Sequence, residues 1–323
     1  MRVPRPFAPA FMVALAVAAQ AQLRARWAPD GTESIQAALD SGAPQIVIPY
    51  VGKAWVVRPL HLRNGQTVTF EPGVVVVAQP GAFRGSKDCL LSGSRIRNVT
   101  LRGYGATLRM RRAAYAKPPY ELGEWRHCLM LNDGSSDIAV LGLTLEASGG
   151  DGIYVGSNYK TQPACRNVLI RDVTCRDNLR QGISVTSVIG LRVENCILAD
   201  TAGSNPQAGI DIEPSLPQHV VQDILVRDCQ ALGNAGSGLF VNVERLDRTS
   251  QPVSIIFESC LVRNSGMAGI RVKGKQAGGS ILFRDCTVER SGSFVDWCVP
   301  ILKYENCRWL SEGGRLHVEG KRE

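Results

Sequence analysis

The feature that most constrains this chain is a short motif that recurs along its second half. Asn195-Cys196, Asp228-Cys229, Asp285-Cys286 and Asn306-Cys307 share one setting, and Ser259-Cys260 nearly matches it. Asp172-Val173 and Gly142-Leu143 fill the same slot with apolar residues, and successive slots lie 21 to 33 residues apart. Two positions after each slot comes Leu145, Cys175, Leu198, Ala231, Val262, Val288 or Trp309, the period-2 pattern of a strand with one buried face. In most repeats a glycine nine residues after the slot opens a second strand: Gly152-Ile153-Tyr154-Val155, Gly182-Ile183-Ser184-Val185, Gly238-Leu239-Phe240-Val241 and Gly269-Ile270-Arg271-Val272. The repeat carrying Cys196 reaches Gly209 four residues late, through an insertion near Ala202 to Pro206. Asn178 and Asn234, between the two strands, are expected to take up left-handed turns.

Repeats of this length, made of short strands without helical periodicity, specify a solenoid. A leucine-rich repeat is excluded because the Leu grid and helical segment are missing, and a propeller needs about forty residues per blade. What remains is an all-β, right-handed parallel β-helix, each coil laying its strands on those of the coil before. With 44% hydrophobic residues, the chain has material for a long core and too much for disorder. Thr32 to Leu39 is amphipathic, with Ile35, Ala38 and Leu39 on one face and Gly42 beyond its end. It predicts a capping α-helix at about 32–41 that plugs the open first coil. Strands are expected at Ile46–Ile48, Trp55–Val57, Thr67–Phe70 and Val74–Val77.

Arg2 and Arg5 precede an apolar run ending in Ala19-Gln20-Ala21, which reads as a secretory signal over residues 1–21. The expected mature unit is a single β-helix domain over 22–323, secreted or periplasmic and monomeric. No later segment is apolar enough to enter a membrane. The basic residues, 37 against 29 acidic, are scattered and not interleaved with aromatics along a helix, so nucleic acid is set aside. Ten cysteines in an exported chain would normally imply a disulfide framework. Residues of one slot, however, stack about 4.8 Å apart, wider than the ~3.8 Å Cβ separation of a bridge. Cys196, Cys229, Cys260, Cys286 and Cys307 are therefore expected to be free and buried. Cys89, Cys128, Cys165 and Cys298 lie off this ladder, and a bridge among them stays open. No Cys-x-x-Cys spacing points to a metal.

The order from helix through Ile46-Val47-Ile48-Pro49 and Leu60-His61-Leu62-Arg63-Asn64-Gly65 to Phe70-Glu71-Pro72-Gly73-Val74-Val75-Val76-Val77-Ala78 resembles the first coils of pectin-lyase-like β-helix proteins. Within that group, Gly269-Ile270-Arg271-Val272-Lys273 is similar to the Arg-Ile-Lys motif with which polygalacturonases hold a uronate carboxylate. The paired Asp-Asp and the Gly-His-Gly of those enzymes are absent here. The resemblance thus implies Arg271 and Lys273 only as binders of acidic groups.

In the second strand of each coil, alternate side chains point out of the tube. Aligning Cys128-Leu129-Met130-Leu131 with Gly152 to Val155 gives one exterior wall: Met130, Tyr154, Ser184, Asp211, Phe240, Arg271 and, two positions on, Asn132, Gly156, Thr186, Glu213, Asn242, Lys273. The rung before the glycine reads His127, Asp151, Gln181, Ala208, with Arg126 and Arg180 one step back. Asp211, Glu213, Asp151 and His127 are the expected catalytic groups, in an exposed groove. Arg180, Gln181, Tyr154, Arg126, Asn242, Arg271 and Lys273 are the expected substrate binders. Tyr115, Tyr120, Trp125 and Tyr159, on flanking loops, suit stacking against sugars. Asp211 and Glu213, about 6.6 Å apart along one strand, raise each other's pKa as like charges do, which suits a general acid. The spacing falls in the inverting glycosidase range. Three readings stay open: a glycoside hydrolase acting on a polysaccharide, a polysaccharide lyase or epimerase acting on a uronate polymer, and a glycan-binding surface protein. The hydrolase needs no cofactor, whereas a lyase would call for Arg or Ca²⁺ to neutralise the uronate.

Overall fold

The computed structural model describes residues 22–158, 163–296, 301–310 and 316–317. The expected signal segment, Tyr159 and Cys298 lie outside these residues. The chain winds into a tube of three sheets with 11, 9 and 11 strands among the described residues. One turn, for example, lays down Cys165–Arg171, Thr174–Arg176 and Gln181–Val185, one strand for each sheet. Among the described residues the strands pair in parallel along the tube, apart from Arg308–Leu310 with Leu316–His317, and Arg126 and Gly149 form an isolated antiparallel bridge. The expected second slot is a continuous ladder, Leu145–Cys175–Leu198–Ala231–Val262–Val288–Trp309.

The sequence reading found two strands per coil; the third, as in Val188–Glu194 and Val221–Arg227, is a correction. Its inward pairs (Val168 and Ile170, Leu191 and Val193, Ile224 and Val226) alternate as well, and each runs directly into the Asn/Asp that precedes a slot. That Asn/Asp is the true left-handed corner. Asp172, Asn195, Asp228, Ser259, Asp285 and Asn306 all have φ between 51° and 57°, a conformation Asn and Asp tolerate better than other residues with a Cβ.

Asn178 and Asn234 were misassigned. Both are fully buried inside the tube and bridge neighbouring coils. The Asn234 side chain accepts from the Thr201 amide at 3.1 Å and donates to the Leu198 carbonyl at 2.9 Å; Asn178 does the same with Ser148 and Leu145. Asn234→Ala strands a buried N–H and a buried C=O, each costing about 1–3 kcal/mol. The expected result is a lower urea midpoint with an unchanged m-value. The glycine beside each such position has a steric cause. A Cβ on Gly152 would sit 2.8 Å from both Asn178 Nδ2 and Cys175 Sγ and 2.7 Å from the Gly182 carbonyl oxygen of the next coil.

The helix Thr32–Asp40 buries Thr32, Ile35, Ala38 and Leu39 and closes the first coils. Ile153, Val155, Ile183, Val185, Ile210, Ile212, Leu239 and Val241 fill the tube from the wall side. The ladder thiols are buried and unbridged, and so are Cys89, Cys128, Cys165 and Cys175. Burial pushes the Cys89 thiol up to about 12 and Cys165 to about 11, so both are protonated and inert. No helix among the described residues is long and apolar enough to cross a membrane.

Candidate active site

The nine-stranded sheet sets the register. Met130, Tyr154, Ser184, Asp211, Phe240 and Arg271 pair in sequence across six coils. Asp151 pairs with Gln181, and Gln181 with Ala208. Leu129 opposite Ile153 places His127 on the rung beside Asp151.

The wall is not an exposed groove, which corrects the expectation. Asp151, Gln181 and Asp211 have no exposed surface, and His127 and Ser184 have almost none. They lie beneath a layer formed by the Arg180, Glu213 and Glu124 side chains, which are 15%, 31% and 33% exposed. Arg180 stands at the centre: its Nη1 is 3.6 Å from Asp151 Oδ2, its Nη2 3.4 Å from Glu213 Oε2 and its Nε 3.4 Å from Glu124 Oε1. Burial opposes the charge on Arg180, but Asp151, Asp211, Glu124 and Glu213 outweigh it and hold the guanidinium above its ordinary pKa.

Gln181 fixes Asp211. Its Oε1 accepts from the Ala208 amide at 3.1 Å, which leaves Nε2 to donate to Asp211 Oδ2 at 2.8 Å. Asp211 Oδ1 receives no hydrogen bond from a described protein group. Burial, then the adjacent Glu213 charge and a side-chain hydrogen bond with Glu213, push the Asp211 carboxyl well above the carboxylate range against the opposing pull of Arg180. A proton held there is shared with Glu213, whose carboxyl lies within hydrogen-bond reach of Asp211. Glu213 Oε1 accepts from Asn242 Nδ2 at 2.8 Å.

His127 Nδ1 lies 3.0 Å from the Asp151 amide nitrogen and 3.2 Å from Asp151 Oδ2. One nitrogen faces both a donor and an acceptor, so its protonation decides which it serves. The imidazole stacks on Tyr154 at 5.1 Å. The Tyr154 hydroxyl is engaged with Thr186 Oγ1 at 2.8 Å and with the Ser157 carbonyl, and burial raises its pKa to about 12. Neither Asp151 oxygen receives a hydrogen bond from a described protein group. Among the described residues no group of three or more His, Cys, Asp or Glu is arranged to hold a metal ion; the centre of this cluster is filled by a guanidinium.

A sequence profile for right-handed β-helix regions matches residues 82–251, a stretch that contains Arg126, His127, Asp151, Arg180, Asp211, Glu213 and Asn242. The chain belongs to the right-handed β-helix family. Among solved structures, this β-helix protein is similar to a polygalacturonase from Erwinia carotovora ssp. carotovora, at 14% identity and a TM-score of 0.57, covering 96% of this chain and 95% of that one. It is also similar to an endo-xylogalacturonan hydrolase from Aspergillus tubingensis, at 12% identity and 0.55, covering 91% and 94%. A third is the A-module of a mannuronan C-5 epimerase from Azotobacter vinelandii, at 14% identity and 0.55, covering 85% and 93%. No curated protein sequence matches the chain. At these identities the likeness is one of fold.

Several expected binders of the β-helix protein sit elsewhere than the groove. Arg126 is fully buried; Nε donates to the Phe83 carbonyl at 3.0 Å, and Nη2 to those of Arg84 and Glu121 at 3.0 and 2.5 Å. It pins the loop before His127 onto the preceding coil and is unavailable to substrate. Tyr115 is buried edge-on against Tyr120, and both flank the Arg126 guanidinium, so neither offers a free face to a sugar. Trp125 is 45% exposed, with Lys87 5.6 Å from its ring centroid. Arg271 lies over Phe240, and Lys273 reaches Glu244 at 3.6 Å; both are two coils from Asp211, outside its cluster.

The residue that sequence reasoning missed is Glu124. It belongs to a loop without repeat periodicity, so register could not place it. Its Oε2 accepts from Ser204 in the four-residue insertion, which joins the two irregular segments over the wall. The only available signal was its position three residues before His127.

Proposed function

We propose that the protein is a carbohydrate-active β-helix enzyme that hydrolyses glycosidic bonds of a polysaccharide over Asp211, with Asp211 as general acid. The observation that carries this reading is the buried Asp211 carboxyl, oriented by Gln181 and hydrogen-bonded to Glu213, an environment that raises its proton affinity. Glycoside hydrolysis needs such an acid beside a second carboxylate. Glu213, two residues on and partly exposed, takes the second role and activates water. Asn242 holds it in place. Asp151 and His127 position Arg180 and accept from substrate hydroxyls, and Arg180 with Glu124 forms the cover that substrate displaces. The similar folds of two glycan hydrolases support a polysaccharide as substrate. Residues 1–21 support secretion.

The test is a panel of polysaccharides assayed for new reducing ends and for ultraviolet-absorbing unsaturated sugars. Hydrolysis gives the first without the second. Unsaturated products would replace this reading by the lyase, and retention without products by the glycan binder.

A further inference from the structure

The cluster around Arg180 has an uneven balance of charge. Four carboxyl groups, those of Asp151, Asp211, Glu124 and Glu213, face one guanidinium. Both buried oxygens of Asp151 lack a hydrogen bond from a described protein group, and Arg180 Nε already faces Glu124 while a second unpaired donor, Arg126 Nη1, belongs to a side chain fully buried beneath the loop. The neighbouring cations are engaged elsewhere: Arg126 with three backbone carbonyls, Lys87 over Trp125, Lys273 with Glu244. A carboxylate or sulfate on a bound sugar would thus meet the like charge of Asp151, Glu124 and Glu213, which outnumber the one guanidinium. Like-charge juxtaposition at a recognition surface opposes binding. A hydroxyl or an amine would supply what Asp151 lacks.

We infer that the sugars bound over Asp151 and Asp211 carry no acidic groups, so that the substrate is a neutral or amino polysaccharide and not a polyuronate. This rests on the hydrolase reading of the same site and departs from what the Arg271 and Lys273 motif implied.

Polygalacturonate and alginate, each compared with its own carboxyl-reduced form, provide the test, alongside neutral glucans, galactans and chitosan oligomers. Reduction turns each uronate into a neutral hexose and keeps the linkages. Affinity is read by calorimetry, and cleavage by reducing ends. The expected result is at least tenfold tighter binding of a neutral or amino glycan than of any acidic polymer, with affinity reduced about tenfold in Asp151→Asn. Chitosan separates the amine from the hydroxyl as the preferred donor. An acidic polymer bound equally or more tightly overturns the inference, and if it is also hydrolysed the hydrolase reading survives. Tight binding of a neutral glycan without cleavage upholds the inference and removes the hydrolase. Binding to nothing in the panel, or unchanged affinity in Asp151→Asn, overturns it.

Discussion

Asp211→Asn is expected to lower turnover about 10²- to 10⁴-fold, the usual contribution of a positioned general acid, with little change in KM. Asn is isosteric with a protonated Asp, so Gln181 still finds an oxygen to donate to, and the fold survives. Stability supplies an independent readout. Asp211 binds its proton more tightly in the folded chain than in the unfolded one. Its stabilising contribution is therefore full at pH below the ordinary carboxylate value of about 3.9 and is lost as pH rises through the raised value. One such group changes stability by about 1.4 kcal/mol per pH unit across that window. Asn carries no proton, so the variant's unfolding free energy falls less steeply with rising pH than that of the wild type. Parallel curves in urea titrations between pH 4 and 8 would show that Asp211 is an ordinary ionised carboxylate, and full turnover in the variant would place the chemistry elsewhere.

Arg180→Met has the largest expected effect on stability. Removing one partner from a buried charge cluster leaves the others uncompensated and costs about 3–5 kcal/mol. Asp151 suffers most, because it has no exposure and no hydrogen bond from a protein group to its oxygens. Asp151→Asn in the Arg180→Met background should recover more than about 1 kcal/mol, as residues in one network do. A loss below about 1 kcal/mol in urea unfolding would mean that water already reaches these carboxylates in solution.

The tube and the wall register were legible because both follow from exact period-2 alternation repeated coil after coil. Once Leu129 is opposite Ile153, the places of His127, Asp151, Gln181 and Asp211 follow. The third strand of each coil was hidden because its apolar pair merges with the slot it feeds. Asn178 and Asn234 were misread because Asn serves corners and inner ladders alike, and only neighbouring carbonyls distinguish the two. The covering layer was not legible at all. Glu124 and the Ala202–Pro206 insertion meet through loops that obey no repeat, and Arg126 gave no sign that its guanidinium would be claimed by backbone carbonyls.

The stacked thiols have a consequence for how the tube is made. A thiol at the growing edge is sheltered only when the following turn closes over it, so winding and oxidation are in competition. In an oxidising medium a slow turn would let two adjacent rungs crosslink, and because a bridge is shorter than the rung spacing, the error would be locked in as a pinched coil. Once the turns are closed, the same row of sulfurs is buried in the core.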